Sequence, residues 1–499
     1  MPDITKGPFE PGADPTMNPA LRSWLPEANE PGCEWPLQNL PICRYLLRSD
    51  AEAARRGETA EDGEQPRARL GMAVGAHVLD LDMLIHANAL DFGSSDQAED
   101  ALGLAHHAAH MGMTNVLMMG GSGYIDGRPT PARMLREAVQ AFMLDSAPGG
   151  QQKRRLREKA LTAMTEIEFA EPCMIPNYTD FYASIHHART VGSMFRPDNP
   201  LLPNYKHVPI GYHGRASSVV VSGTPIVRPN GQTVANPADA KATPVFGPSQ
   251  RLDYELELGV LIGPGSDFGR SVPIDEAWAQ IFGFVLVNDW SARDIQAWEY
   301  QPLGPFLSKN FATSISPMIV TRDVMDALRV PGSARGEGDP SPLAYLTPGA
   351  DAAGPGHGLN LSLEVLIRSA KMREAGLPAM RVSIGSFREM YWTFAQMIAH
   401  HASGGCPLQA GDLIASGTVS GPEAESRGCL LERTWAGNGP DGKPLPRAAL
   451  KLPSGEERTF LGDGDEVILR GWGEAKVLGG TVRVSLGQCR GEVVKAETR

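Results

Sequence analysis

The sequence predicts a mainly β protein with some α-helix, organised in two units. From residue 178 onward, short alternating or apolar stretches recur between glycine and proline turns, whereas extended helical periodicity lies before residue 166. A chain of 499 residues is long enough for two or more domains, and its 55 glycines and 41 prolines fit many turns and ordered loops. We therefore expect one unit over residues 1–165 and a larger one over residues 166–499.

The N-terminal unit combines a hairpin with helices. Residues 1–32 are rich in proline and acidic residues and predict an arm over the surface. Residues 69–84 alternate as two strands around a Val-Gly-Ala turn, and the charged, alanine-rich stretch 48–68 before them predicts an exposed insertion. One helix is predicted to begin at Pro131 and a second to cover residues 152–165.

The C-terminal unit is dominated by strand patterns. Together they predict a large sandwich or rolled sheet with its chemistry on loops at one end, and residues 333–358 predict a long surface loop. Six stretches each predict a strand with its turn: 217–229, 252–263, 282–289, 411–421, 464–473 and 481–488.

Composition excludes several classes of function. A net charge of −12 without a long basic block argues against a nucleic-acid partner, and residues 151–159 fit a solvated helix face better. The N-terminal stretch has no hydrophobic signal core, and the apolar run 281–287 is too short to cross a membrane. Six scattered cysteines without a C-x-x-C pair indicate reduced thiols. We expect a soluble cytoplasmic protein with no membrane partner.

An acidic strand raises the first question about function. Asp253, Glu255 and Glu257 alternate with apolar residues, so they share one face of a strand that continues as a fully apolar run. Like charges at the edge of a core repel one another and resist desolvation, so a positive group is expected against them. Glu255 and Glu257, about 6.6 Å apart at Cα, can still converge on one Ca2+ or Mg2+ ion. An edge strand with solvated acids is the simpler alternative.

Residues 177–196 supply an acid and a histidine. A helix that begins near Asp180 would return His187 to nearly the same face and would end at Arg196. Taken alone, this stretch is better explained by a capping aspartate and a surface histidine.

Residues 287–306 predict a polar helix stripe after an apolar strand. A helix from Asp289 would end before Pro302, with Lys309 and Thr313 shortly after it. Its stripe would hold an acid, a guanidinium, an amide and a phenol: Asp289, Arg293, Gln296 and Tyr300. The stripe resembles the wall of a site, although an exposed Asp–Arg pair at i,i+4 is the competing interpretation.

The last stretch, 415–435, places Thr418 on a glycine-flanked turn and Glu432 in the strand expected to follow. Familiar catalytic motifs are absent from the sequence. There is no G-x-S-x-G elbow and no H-E-x-x-H, and residues 263–269 do not have the spacing of a dinucleotide-binding loop.

Taken together, these stretches resemble the fumarylacetoacetate hydrolase family. The resemblance rests on YTDFY…HH…MFR, GYHGRASSVVVSGTP, ELE, NDWSARDIQ.WEYQPLGPF, K.F.T and ASGTVSGPE, and it extends from about residue 36 to about residue 490. It implies a small SH3-like N-terminal barrel, a large C-terminal β-roll domain and a homodimer. It also implies hydrolysis of 4-fumarylacetoacetate to fumarate and acetoacetate, the last step of tyrosine and phenylalanine catabolism.

The resemblance also implies roles for particular residues. The ligands of a Ca2+ and/or Mg2+ ion would be Asp180, Glu255, Glu257 and Asp289. The resemblance also places Lys309 and Thr313 in the metal site, where any contact from Lys309 would have to use its backbone carbonyl. His187 would be the general base, Glu432 would orient it, and Arg293, Gln296 and Lys309 would stabilise negative charge. Substrate-binding positions would be Tyr182, Arg196, Tyr212, Gln296, Tyr300 and Thr418. Asp253 receives no role and is expected to be solvated.

Two other functions stay open. One is a related hydrolase or decarboxylase that acts on another β-diketo acid of the acylpyruvate type, and the other is a metal-stabilised binding protein without catalysis. The chain departs from the family pattern in a longer arm before residue 36 and in the longer segments 48–68 and 333–358. Ser308 and Ala312 also stand where glycine is common, which puts fine substrate shape in doubt.

Overall fold

The computed structural model describes residues 13–58, 66–146, 150–236, 241–349, 356–440 and 444–497. Parts of three expected surface segments lie outside these residues, namely 1–12 of the arm, 59–65 of the insertion and 350–355 of the long loop. Residues 13–32 of the arm pack onto the body, where Met17 is 1% exposed. None of the described helices is long and apolar enough to cross a membrane.

In the described part of the N-terminal unit, a five-stranded antiparallel sheet and a separate β4–β5 pair are accompanied by six α-helices. The sheet order is β6–β3–β2–β1–β7. The strands are β1 (Ile42–Leu47), β2 (Arg69–Val74), β3 (His77–Asp80), β4 (Tyr124–Ile125), β5 (Arg128–Pro129), β6 (Leu161–Ala163) and β7 (Ile167–Phe169). The helices are α1 (Arg48–Arg55), α2 (Leu81–His86), α3 (Asp96–Met111), α4 (Thr114–Met119), α5 (Pro131–Met143) and α6 (Gly150–Ala160).

Local signals explain most of these boundaries. The predicted hairpin is confirmed as β2 and β3, but its last residues belong to α2 because the Asp80 carboxylate accepts a hydrogen bond from Met83 N and caps a helix. The helix predicted from Pro131 is confirmed as α5, capped by Thr130. The second helix, predicted over 152–165, was wrong at its end, since residues 161–163 leave α6 and pair with β3.

The C-terminal unit contains most of the strands. They are β8 (Tyr178–Phe181), β9 (Gly211–Gly214), β10 (Val219–Val221), β11 (Ile226–Val227), β12 (Asn230–Thr233), β13 (Val245–Pro248), β14 (Leu252–Asp253), β15 (Leu256–Ile262), β16 (Ile281–Asp289), β17 (Ser291–Ala292), β18 (Thr313–Ile315), β19 (Val320–Thr321), β20 (Arg329–Val330), β21 (Gly358–Leu359), β22 (Ser362–Arg368), β23 (Met380–Ser386), β24 (Leu413–Ala415), β25 (Leu450–Lys451), β26 (Glu457–Arg458), β27 (Glu466–Val477) and β28 (Gly480–Val494). The helices are α7 (Ile185–Phe195), α8 (Ile274–Ala277), α9 (Arg293–Glu299), α10 (Arg322–Met325), α11 (Ala370–Glu374), α12 (Phe394–Ala402) and α13 (Leu430–Arg433).

Two sheets enclose the core of this unit. A mixed sheet has the order β10–β18–β16–β15–β24–β8–β9, with β19 also paired to β16, and a second sheet has the order β11–β28–β27–β22–β23. One buried cluster draws side chains from both, among them Leu258, Leu286, Val365 and Leu486. Strand β16 is buried along its whole length, as its continuous apolar sequence requires. The chain is thus a mixed fold of mostly sheet, with an N-terminal domain and a large C-terminal domain.

The N-terminal unit packs against the mixed sheet. A second buried cluster joins Leu70, Leu79 and Val139 of that unit to Leu261 and Val285 of the sheet. Since β7 pairs with β1, the N-terminal sheet includes residues beyond 165. We therefore propose the expected division into 1–165 and 166–499 with its boundary moved to just after β7, at residue 169.

Candidate active site

Four carboxylates converge within the mixed sheet. Asp180 lies on β8, Glu257 on β15 and Asp289 at the end of β16, while Glu255 directly precedes β15. All four are buried, and each offers an oxygen within 4.8 Å of the others. Antiparallel pairing of β15 with β16, which sets Glu257 opposite Val287, brings the acids from these two strands together.

The helix predicted from Asp180 was wrong. Asp180 belongs to β8, which pairs in parallel with β24, so that Asp180 lies opposite Ala415. The helix α7 begins only at Ile185, where the Ser184 side chain accepts a hydrogen bond from His187 N. Its predicted end before Arg196 is confirmed.

The helix predicted from Asp289 was wrong at its start. Asp289 is the last residue of β16 and pairs with Thr313 of β18, and α9 begins four residues later at Arg293. Within α9 the predicted face is kept, because Arg293 Nη1 donates to Gln296 Oε1 at 3.1 Å. Tyr300 follows the last helical residue.

The acidic stretch is not one continuous strand, and Asp253 is not solvated. The strand pattern breaks between β14 and β15. Asp253 is 0% exposed and accepts hydrogen bonds from Arg293 Nε at 2.9 Å and from the backbone N–H groups of Leu430 and Leu431 at 2.8 and 2.9 Å. The apparent surface acid therefore anchors both Arg293 and the start of α13.

Two cations neutralise only part of the carboxylate cluster. Lys309 Nζ lies 2.6 Å from Glu255 and 2.6 Å from Asp289, and Arg293 Nη1 lies 2.7 Å from Glu255. Burial opposes ionisation of Glu255, but the charges of Lys309 and Arg293 prevail and hold the pKa of Glu255 below its usual range.

The pKa values of Asp180 and Glu257 are shifted in the opposite direction. Burial, reinforced by the charge of Asp289, raises the pKa of Asp180 well above its usual value. Burial and the charges of Asp180 and Asp289 likewise raise the pKa of Glu257. Both Glu257 oxygens are buried without a hydrogen-bond partner among the described residues. Negative charge therefore exceeds what the neighbouring side chains neutralise.

This donor set fits a hard divalent cation. Ca2+ and Mg2+ take oxygen ligands, and a buried carboxylate without a partner is the kind of group that a metal satisfies. Asp289 is held in place by hydrogen bonds from Thr313 Oγ1 at 2.8 Å and from the Tyr212 hydroxyl at 2.7 Å. Lys309 contacts the cluster through its ammonium group, which acts by charge and cannot be a metal ligand.

One glycine position shapes the cluster. Gly417 N donates to Asp180 Oδ1 at 3.1 Å, and its φ of +73° is a left-handed conformation that favours glycine. A Cβ atom there would lie 2.1 Å from the carbonyl oxygen of Phe181. The glycine-flanked turn predicted around Thr418 is thus the feature that lets the backbone approach Asp180.

A buried histidine–glutamate pair lies at the same site. His187 Nδ1 is 2.6 Å from Glu432 Oε2, which also accepts a hydrogen bond from Ser420 Oγ at 2.7 Å. Burial alone would raise the pKa of Glu432, but the His187 ring and these hydrogen bonds hold it below its usual range. With Nδ1 engaged by the carboxylate, Nε2 is the nitrogen able to accept a proton. Glu432 lies on α13, so the strand predicted for it was wrong.

Residues from both the carboxylate cluster and the histidine–glutamate pair border one cavity of about 1080 Å³. His187, Glu255, Arg293 and Lys309 line it, as do all the residues predicted to bind substrate: Tyr182, Arg196, Tyr212, Gln296, Tyr300 and Thr418. Arg293 Nη2 and Thr418 Oγ1 are buried without a hydrogen-bond partner among the described residues. Two such donors beside a cavity are suited to bind oxygen atoms of a substrate.

The sequence did not reveal every residue of the cavity wall. Trp435, Arg447 and Phe460 also line it. The Arg447 guanidinium lies 4.8 Å from the centre of the Phe460 ring and donates to the backbone oxygen of Leu431 at 2.8 Å. These residues follow α13 in irregular segments without periodicity, so no local pattern marked them. Ser420 could have been noticed only as a polar residue in the same glycine-rich turn as Thr418.

The sheet arrangement, the buried carboxylate cluster and the adjacent histidine–glutamate pair are those of an enzyme with a candidate metal site. The C-terminal profile of fumarylacetoacetate (FAA) hydrolase matches residues 177–494. Fumarylacetoacetase of Bos taurus is 40% identical over 475 residues, which cover 95% of this chain and 99% of that protein. The Arabidopsis thaliana fumarylacetoacetase is 39% identical, with 92% and 96% covered, and that of Aspergillus fumigatus is 45% identical, with 74% and 81% covered. The chain belongs to the fumarylacetoacetate hydrolase family.

Proposed function

We propose that this enzyme cleaves the C–C bond of 4-fumarylacetoacetate with water to give fumarate and acetoacetate, and so closes tyrosine and phenylalanine catabolism. One observation carries the proposal. His187 and the cluster carboxylates Asp180 and Glu255 line the same cavity as Arg293 and Lys309, in a chain 38–40% identical to mammalian fumarylacetoacetases over 95% of its length.

The ion would be Ca2+ or Mg2+, held by Asp180, Glu255, Glu257 and Asp289, because these ligands are all carboxylate oxygens. When bound, it would polarise the 1,3-dicarbonyl group of the substrate. The raised pKa values of Asp180 and Glu257 support this assignment, since a dication offsets the charge that burial makes unfavourable.

His187 is placed to act as the general base. Its Nε2 takes a proton from a water molecule, and the hydroxide adds to the carbonyl carbon of the fumaryl group. Glu432 fixes the orientation of the ring through Nδ1 and stabilises the imidazolium that forms. The unpaired Nη2 of Arg293 then donates to the oxyanion of the tetrahedral adduct.

Cleavage follows from the collapse of that adduct. The C–C bond breaks, its electron pair moves onto the leaving carbon as the enolate of acetoacetate, and the carbonyl of the new fumarate carboxyl is restored. Lys309 and Gln296 border the cavity and stabilise the enolate oxygen, and Gln296 Oε1 already accepts from Arg293, so its NH2 group is the end available to donate. The proton held by His187 goes to the enolate carbon, which balances the water consumed.

Recognition of the substrate carboxylates falls to groups farther from the acids. Arg196 is exposed and also borders the cavity, so its guanidinium can bind a terminal carboxylate in a bidentate manner. Tyr182 and Tyr300 add hydroxyl groups along the same wall.

The central experiment measures fumarate release from fumarylacetoacetate by the full chain and by His187→Ala. We expect kcat to fall by about 10²–10⁴-fold in this variant, the usual contribution of a general base. His186→Ala is the matched control, because the neighbouring ring contacts Glu389 at 3.6 Å and leaves the His187–Glu432 pair intact. Full activity in His187→Ala would remove the assigned base, and a strong preference for acylpyruvates over fumarylacetoacetate would move the enzyme to the related β-diketo acid chemistry.

We also propose that the enzyme is a cytoplasmic homodimer. Large apolar side chains stay exposed on the single chain, with Phe246 at 70%, Leu303 at 96% and Phe306 at 67%, which is typical of surfaces that meet a partner. All six cysteines are free, which suits a reducing compartment. Light scattering of the purified protein would give the mass of a dimer, and a monomeric mass at micromolar concentration would contradict this part of the proposal.

A further inference from the structure

Three histidines and an aspartate meet on the outside of the N-terminal unit. Asp82, His86 and His110 each offer a ligand atom within 4.8 Å of the others. His106 completes the group, since its ring centre lies 5.0 Å from that of His86 and 6.1 Å from that of His110. We call these four residues the histidine cluster. None of them lines the catalytic cavity.

Helix geometry places the four side chains on facing surfaces. Asp82 and His86 are four residues apart on α2, and His106 and His110 are four residues apart on α3. Residues at this spacing lie on one face of a helix, so each helix presents a pair of donors. The three histidines are exposed and Asp82 is half-buried, which leaves the cluster open to an ion from solution.

Two contacts prepare the cluster for a ligand. His86 Nδ1 lies 2.9 Å from the backbone oxygen of Asp82, and donation to this carbonyl leaves Nε2 as the lone-pair nitrogen, the arrangement usual for metal-binding histidines. Asp82 Oδ1 is buried without a hydrogen-bond partner among the described residues, although it lies 3.1 Å from His86 Nδ1. This carboxylate oxygen adds an oxygen donor to the imidazole nitrogens of the cluster.

We propose that the histidine cluster is a second metal site, which binds a borderline dication of the Zn2+ class. Imidazole nitrogen suits Zn2+, Ni2+ and Cu2+, whereas carboxylate oxygen suits Ca2+ and Mg2+, so this site and the buried carboxylate cluster select different ions. Zinc–nitrogen bonds are about 2.0–2.1 Å, so the side chains close on the ion by small rotations that exposed residues can make.

Occupancy would join α2 to α3 across the loop between them. Because the cluster lies outside the cavity, the ion adds stability to the N-terminal unit and no chemistry to the reaction. The proposal does not depend on the substrate assigned above.

The test is a calorimetric titration of the full chain with Zn2+ in excess Mg2+, which keeps the carboxylate cluster occupied. We expect one Zn2+ per chain in the wild type, and at least about tenfold weaker binding in the double variant His86→Ala/His110→Ala, since loss of even an outer partner of a metal site costs that much. His107→Ala is the matched control, because His107 is exposed on α3 between the two cluster histidines and should leave binding unchanged.

Thermal unfolding gives a second readout. Zn2+ should raise Tm of the wild type and of His107→Ala but not of the double variant, while hydrolysis without zinc stays equal in all three. His110→Gln, which keeps a helix-forming residue, replaces the double variant if that protein does not fold. Equal zinc affinity in wild type and cluster variants, or zinc that excess Ca2+ displaces, would overturn the proposal.

Discussion

Two groups of buried charged side chains lie in this chain and differ in how their charges balance. In the carboxylate cluster, the cations of the described residues that form ion pairs with the four acids are Lys309 and Arg293. Where α5 meets the N-terminal arm and α10, the acids are matched instead by guanidinium groups. We call this second group the paired network: Asp14, Arg133, Arg136 and Asp323.

Each acid of the paired network has a guanidinium partner. Arg133 donates to Asp14 Oδ1 at 2.8 Å and to Asp323 Oδ2 at 3.1 Å, and Arg136 lies 3.6 Å from Asp323. Burial opposes ionisation of Asp323, but Arg136 and Arg133 prevail and lower its pKa to about 2. Asp180, equally buried, has its pKa raised. Burial alone therefore does not identify a functional carboxylate. The distinguishing feature is the presence of more neighbouring carboxylates than cations.

The largest effect is expected in the carboxylate cluster, where negative charge exceeds positive charge. Glu257→Gln should lower kcat by at least about 10³-fold, because metal-supplied stabilisation of a transition state is worth several kcal/mol. In the presence of chelator, its free energy of unfolding should not fall, since the amide replaces a carboxyl whose buried charge is unfavourable. Fumarate release and urea unfolding with EDTA measure the two quantities.

Glu99→Gln, on the exposed surface of α3, is the control for removal of one glutamate charge. Full activity and unchanged Ca2+ or Mg2+ affinity in Glu257→Gln would show that the cluster does not hold the ion.

The next largest effect is expected at the paired network. Arg133→Met leaves Asp14 without its guanidinium partner and Asp323 with Arg136 alone, so the free energy of unfolding should fall by about 3–5 kcal/mol, as when one member of a buried ion pair is removed. Activity per folded molecule should stay at the wild-type level. Urea unfolding and kcat at low temperature measure both. Arg155→Met on the exposed face of α6 should change stability by less than about 0.5 kcal/mol, and an equally small effect at Arg133 would contradict the comparison.

The smallest effect concerns pH. Because the pKa of Asp323 is lowered to about 2, its stabilising contribution is complete above the ordinary carboxyl pKa and is lost as the pH falls through that value toward 2. This lowering of the Asp323 pKa by almost two units corresponds to a contribution of about 2 kcal/mol to the free energy of unfolding. The difference in unfolding free energy between wild type and Asp323→Asn should therefore shrink on acidification, measured by urea titration across this range. A difference that stays constant with pH would show that Asp323 is not ionised by its arginine partners.

Local patterns predicted the elements that depend on neighbours in sequence. The β2–β3 hairpin and α5 follow from a turn glycine, a capping threonine and Pro131. The acids of the carboxylate cluster were also named from the sequence, but the helices assumed for Asp180 and Asp289 were wrong. A spacing of seven residues fits a helix face by coincidence, whereas the strands that hold both acids are fixed by pairing with β24 and β18, far away in the sequence.

Contacts between segments that are distant in the sequence could not be predicted either, because local patterns carry no information about them. Nothing near Asp14 indicates Arg133, and nothing near His86 indicates His110, because these pairs form only once helices pack. The role of Asp253 was missed because its partners lie 40 residues away at Arg293 and 177 residues away at Leu430. Sequence periodicity predicts which face of a helix or strand is buried, but it does not predict which other segment packs against that face.

The position of Asp253 limits how the enzyme can change. This one carboxylate ties Arg293, which faces the substrate, to the first turn of α13, which carries Glu432 behind the base. A substitution that re-shapes the Arg293 end of the pocket would also shift the support of His187. Selection for a new substrate and retention of efficient proton transfer are thus mechanically linked, and variants that broaden specificity at this end should need a compensating change in α13.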